Sequence, residues 1–171
     1  MNNKIDTLYA PWRNKYVKKN TKEHIAGQHS ECVFCDQFTQ TNDEKHYILK
    51  RLKSVAIILN LYPYNAGHLM VIPYDHKANL YDLNIQTQHE LIEVVSKSSQ
   101  ILMETLKCQG INIGLNLGRA AGAGQPGHLH MHVLPRWEGD TNWLPVLAHT
   151  KQISIDIEQI YQDLKPHFDS F

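Results

Sequence analysis

Three histidines alternate with apolar residues in the run Gly127, His128, Leu129, His130, Met131, His132, Val133, Leu134, Pro135. A strand sends successive side chains to opposite faces. All three imidazoles therefore project from one face, about 7 Å apart, while Leu129, Met131 and Val133 turn inward. Such a row suits phosphate binding, metal ligation or a histidine acting as nucleophile. Eleven histidines in 171 residues make chance clusters common. Three in strict alternation still need a purpose, because buried polar groups without partners are costly.

The loop ahead of them, from Asn116 to Gly127, carries glycines at 118, 122, 124 and 127. Glycines let backbone N–H groups approach a bound anion, and Gly122 and Gly124 are candidates for that cradle. Beside the imidazoles the loop reads as a seat for one phosphoryl group while a ring nitrogen attacks it in line. His130, with an imidazole on each side, has the best geometry for that attack, and a neutral imidazole is a good nucleophile toward phosphorus. His132 would contact the non-bridging or the leaving oxygen. Cys32 and Cys35, spaced Cys-x-x-Cys, form half of a structural zinc site, and His76 is a candidate further ligand. The alternative is a metal-free thiol pair packed in the core.

These groups need elements to hold them. Residues 47–51 and 54–60 read as two strands joined by a short turn, and residues 68–72 as a third that Pro73 ends. Thr87 with Glu90 forms a capping box for a long helix, apolar at 91, 95, 102 and 106, which Gly110 stops. Residues 111–117 make a fourth strand and the histidine run a fifth. A last helix covers residues 154–164. The expected fold is α+β: a five-stranded antiparallel sheet with one long and one short helix, dimeric through a sheet edge or a helix. The expected organisation is an N-terminal arm at 1–31, a core at 32–137 and a C-terminal extension at 138–171 packed on it.

Apolar residues make up 42% of the chain and charged residues 20%, as in an ordinary globular protein. Lys plus Arg equals Asp plus Glu at 17 each, so no global basic field awaits a long nucleic acid. The ligand is on the scale of a small anion. Three cysteines, an odd number, and the lack of an apolar leader or spanning run point to a cytoplasmic protein without membrane attachment.

The run from His128 to Leu134 resembles the histidine triad (HIT) superfamily, whose hallmark is His-φ-His-φ-His-φ-φ with φ apolar. The segment from Asn60 to Pro73 is similar to that family's nucleoside-binding hairpin. Tyr9 to Arg13 and Pro135 to Asn142 resemble a bacterial branch of diadenosine polyphosphate hydrolases or phosphorylases. The resemblance implies attack on the α-phosphate, a nucleotidyl-histidine intermediate, release to water or inorganic phosphate, and a homodimer. Position by position, His130 matches the nucleophile and His132 the phosphate-contacting histidine, while His128 orients the site or ligates zinc. Asn60 falls against the ribose hydroxyls and Asn116 where the loop meets the phosphates. The implied zinc set is Cys32, Cys35, His76 and His128. Where many members carry a loop Gln, this chain has Gly124, with Gln125 one residue later.

The resulting expectation is cleavage of a dinucleoside polyphosphate, such as diadenosine tetraphosphate, by phosphorolysis or hydrolysis. The alternatives are a phosphoramidase acting on AMP-amines, a non-catalytic mononucleotide-binding module, and a metal-binding regulator built on the histidine row. His68, after a turn glycine, either lines the nucleoside pocket or packs. Arg119, Arg136 and Lys151 are the cations nearest the expected phosphates, and Cys108 reads as a small buried hydrophobe.

Overall fold

The computed structural model describes residues 32–141 and 156–171. The expected N-terminal arm and Lys151 lie outside the described residues. A first helix, α1 (Val33–Thr39), leads into β1 (Ile48–Arg51), β2 (Val55–Leu59) and β3 (Leu69–Pro73). The long helix α2 (Ile85–Leu106) follows, then β4 (Gly110–Leu115), β5 (Met131–Arg136) and α3 (Ile157–Asp169). All strand pairings are antiparallel, in the spatial order β1-β2-β3-β5-β4.

The alternating pattern of each strand divides the apolar residues between two faces. Val55, Ile57, Leu59, Leu69, Val71, Met131 and Val133 pack with Leu91, Val94, Val95 and Leu102 of α2 and with Ile160, Leu164 and Phe168 of α3. Ile48, Ile58, Met70 and Ile72 face the other way, against Cys32 and Phe34. Both faces of the central strands are thus covered, which is why residues 56–59 read as continuously apolar. The five-stranded antiparallel sheet agrees with the sequence reading.

Four local expectations need correction. The two-helix count omits α1, whose seven residues are too few to show a helical period in sequence. The long helix begins earlier than a Thr87 cap allows: Asn84 is the N-cap, and its side chain accepts from the Thr87 N–H. Glu90 instead accepts from the Lys53 and Ser54 amides, clamping the β1–β2 turn to α2. At the other end of α2, Lys107 adopts the left-handed conformation and closes the helix, before Gly110 is reached. The last helix runs on through Pro166 to Asp169, buttressing the core with Phe168 rather than ending at 164.

Gly67 has to be glycine. Its φ of +68° is one that L side chains rarely adopt, and a Cβ there would run into the Leu106 side chain. This close approach draws the Pro63–Gly67 turn onto the end of α2 and sets where β3 begins.

Candidate functional site

The ladder of β5 starts at Met131, so His128 and His130 precede it, yet the alternation already holds there. Leu129, Met131 and Val133 are buried in the main core, and the three imidazoles share the opposite face. That face is not open to solvent. Helix α1 lies over it, with the Phe34 ring 5.5 Å from His128 and 5.3 Å from His130. Only 1% of His128 and 7% of His130 are exposed.

Each ring's hydrogen bonds fix its tautomer. His130 Nδ1 donates to the His128 carbonyl oxygen at 2.8 Å, so in the neutral ring the lone pair sits on Nε2. Burial lowers the pKa of His130; the bond to that carbonyl opposes the shift, and the charge of His128 adds to it. The ring is therefore neutral near pH 7.

His68, almost fully buried, accepts the Tyr64 backbone N–H at its Nδ1 (3.1 Å), with the Asn60 amide nitrogen at 3.3 Å. An Nδ1 that accepts cannot carry the proton, so Nε2 does, and it donates to His132 Nδ1 at 3.0 Å. In neutral His132 the proton is left on Nε2. A chain from Tyr64 and Asn60 through His68 thus sets His132 as a donor. The sequence left the role of His68 open between lining the pocket and packing. Its place just before β3, which pairs Met70 with His132, is the signal that brings it beside the triad.

His130 and His132 line a cleft of about 900 Å³, its open mouth included. Asn60, Asn116, Gly122, Gly124 and Gln125 line the same cleft, as do the apolar side chains of Val33, Phe34, Ile58, Leu59, Leu61 and Met70. The cleft joins an apolar wall to a glycine loop and two imidazoles, as a base-plus-phosphate ligand requires. Both Gly124 and Gln125 border it, so the one-residue displacement of the loop Gln leaves that residue at the cleft. Asn60 Oδ1 already accepts the Tyr62 N–H, which fixes the amide's orientation.

Among the cations, Arg136 is committed elsewhere. It grips Asp140 through Nε (2.6 Å) and Nη2 (2.8 Å) and donates from Nη1 to Asn112 (2.7 Å). Arg119 is exposed on a 3₁₀ turn. Neither lines the cleft.

His128 belongs to a second cluster. Its Nε2 donates to the Pro73 carbonyl oxygen at 2.8 Å, which turns Nδ1 toward Cys32 Sγ (3.2 Å) and Cys35 Sγ (3.5 Å). His76 Nδ1 lies 3.3 Å from Cys35 Sγ. The four ligand atoms fall within 4.8 Å of one another. A tetrahedral site with metal–ligand bonds of roughly 2.1–2.3 Å needs separations of this order, and two thiols with two imidazoles are a donor set for it. Burial pushes the Cys32 thiol up. Its contact with His128 and the hydrogen bonds from the Cys35 and Phe34 amides outweigh that and hold it at about 6. Burial and the neighbouring Cys32 push Cys35 up to about 11. The Leu129 N–H, bonded to the Lys77 carbonyl at 2.7 Å, joins the His76 segment to the histidine run. Among the described residues these four form a cluster that could hold a metal ion.

Comparison with known proteins agrees with this geometry. The HIT-domain family model matches residues 40–139. The AP-4-A phosphorylase of Mycobacterium tuberculosis is 36% identical over 150 residues, covering 87% of this chain and 77% of that protein. The asymmetrical bis(5'-nucleosyl)-tetraphosphatase of Schizosaccharomyces pombe is 33% identical over 93 residues, 54% of this chain and 50% of that protein. The crystal structure of a zinc-bound histidine triad family protein from Mycobacterium smegmatis superposes with a TM-score of 0.66 at 27% identity, covering 82% of this chain and 94% of that one. With its triad, its antiparallel sheet and a family model matched over more than half its length, the chain belongs to the HIT-domain family.

Proposed function

We propose that this protein cleaves dinucleoside polyphosphates such as diadenosine tetraphosphate at the α-phosphate, through a nucleotidyl-His130 intermediate. The observation that carries the reading is the orientation of His130: Nδ1 is tied to the His128 carbonyl, and the ring lines the cleft with its lone pair on Nε2. A neutral nucleophile fixed in one tautomer needs no base to activate it. In the first step the Nε2 lone pair forms a bond to the α-phosphorus, and the bond from phosphorus to the bridging oxygen breaks. The polyphosphate leaves with the electron pair of that bond as an anion, and its oxygen accepts a hydrogen bond from His132 Nε2–H, the donor that His68 defines, with no proton transferred. Asn116 with the amides around Gly122 and Gly124 holds the phosphoryl oxygens, Gln125 borders them, and Asn60 meets the ribose.

In the second step an acceptor oxygen bonds to the phosphorus as the phosphorus–nitrogen bond breaks, the electron pair returns to His130 Nε2, and where the acceptor is water its proton passes to solvent. Similarity to the Mycobacterium tuberculosis phosphorylase over most of this chain favours inorganic phosphate as that acceptor. The tetraphosphate would then give ADP and ATP; with water the products would be AMP and ATP. Incubation with diadenosine tetraphosphate, with and without phosphate, followed by chromatography, tests this. Formation of ADP only when phosphate is present is expected. H130A should lose turnover by about a thousandfold or more, and near-normal rates in that variant would end the proposal.

Cys32, Cys35, His76 and His128 would hold one zinc ion, which the zinc-bound relative supports. When bound, zinc supplies a structural cross-link between α1, the segment after β3 and the histidine run. Elemental analysis should find one zinc per chain in the wild type and none in C35S, and the variant should melt several degrees lower. Full stability without metal would count against the site.

A further inference from the structure

The apolar wall of the cleft contains one polar exception. Gln37 lies on α1 three residues after Phe34 and four after Val33, so all three point from the same side of the helix into the cleft. Only 7% of Gln37 is exposed, and its Oε1 has no hydrogen-bond partner among the described residues. Ser98 Oγ, the other buried side-chain polar atom without a partner among the described residues, sits in the core face of α2 and does not line the cleft. An acceptor kept buried without a donor is costly where folding alone decides, and a ligand that brings the donor removes the cost. The imidazoles and the glycine loop take the phosphate end of the cleft. The wall of Val33, Phe34, Ile58, Leu61 and Met70 is left for a flat apolar ring, and Gln37 stands at that wall.

We infer that Gln37 reads the nucleobase, accepting a hydrogen bond at Oε1 from an exocyclic amine and so selecting an amino-purine over purines that lack the amine. A carboxamide presents an acceptor beside a donor, matching an amine next to a ring nitrogen, the arrangement through which Gln recognises adenine. A carbonyl oxygen in place of the amine would face Oε1 acceptor to acceptor. A hydrogen atom there would leave Oε1 buried and unpaired.

The inference rests on the proposed nucleotide-binding role of this cleft, and its test is separable from catalysis because mononucleotides are not cleaved. Calorimetry would compare AMP, IMP and purine riboside 5'-monophosphate, which has hydrogen where AMP has its amine. The wild type should bind AMP roughly tenfold more tightly than either analogue. Q37L removes the acceptor and keeps the bulk; it should bind all three within about twofold of one another. Q37M repeats the test should Q37L fold poorly, with thermal melting as the check. A wild type that does not discriminate, or a variant that discriminates as well as the wild type, would overturn the inference whatever the enzyme does with diadenosine tetraphosphate. Discrimination that Q37L abolishes would sustain it even if the tetraphosphate were never cleaved. Failure to bind any of the three would end both readings.

Discussion

At the scale of residues, the three imidazoles of the triad have three different surroundings. His128 turns Nδ1 to a pair of thiols, His130 turns Nε2 to the cleft, and His132 accepts from His68. One alternating motif therefore supplies a metal-ligand candidate, a nucleophile candidate and a donor candidate, separated by which nitrogen each ring's partner occupies. The donor role depends on His68, which lies in sequence outside the glycine loop. Replacing His68 with Phe keeps a buried ring but removes the N–H to His132 Nδ1, freeing His132 to adopt the wrong tautomer. We expect H68F to lower kcat by about ten- to a hundredfold with KM nearly unchanged. A normal kcat would remove His68 from the chain of positioning.

At the scale of elements, Asp140 ties two loops together. It accepts from Arg136, from Asn65 Nδ2 at 2.7 Å and from the Trp137 N–H, joining the β2–β3 turn to the end of β5. The Arg136 guanidinium, with the Asn65 and Trp137 donors and against the effect of burial, holds its carboxyl well below the usual carboxylate range. A carboxyl depressed in the folded state stabilises it at every pH above the unfolded value of about 3.9, and the contribution fades as pH falls below that. The Asp140 side chain is 9% exposed but its Arg136 partner is 41% exposed, so solvent screens part of the attraction. D140N should cost about 1–2 kcal/mol at pH 7 in denaturant titrations, and the gap to the wild type should shrink below about pH 4. A gap that stays constant with pH would refute the assignment.

The sequence made some of these elements legible and hid others. Alternation exposed the histidine run, and continuous apolar stretches bounded by turn residues exposed β2 and β3. Helix α1 has barely two turns, and its residues drew attention only as a Cys-x-x-Cys; the cover that buries His128 and His130 was therefore invisible. Glu90 matched a capping pattern that a distant turn claimed instead, a long-range contact that no local rule contains. Gln37 fitted no motif, since an orphan acceptor exists only once the surrounding wall has been assembled.

At the scale of the whole molecule, β4 is the edge strand of the sheet among the described residues, where Asn112, Ile113 and Gly114 are exposed and Ile113 shows 53% of its surface. No charged residue lies within the strand to blunt that edge. Family resemblance implies a homodimer, and a second copy paired along β4 is the arrangement we propose. Sedimentation should give twice the chain mass of 19.7 kDa, and I113K should shift the protein toward monomer. A wild type that sediments as a monomer at micromolar concentration would exclude it. One further consequence follows from the bond between His130 Nδ1 and the His128 carbonyl. His128 faces the thiols with its side chain but steadies its neighbour with its main chain, and every amino acid carries that oxygen. Alanine scanning at position 128 will report only the first of these duties, so a mild phenotype there would understate how much turnover depends on where that stretch of chain is anchored.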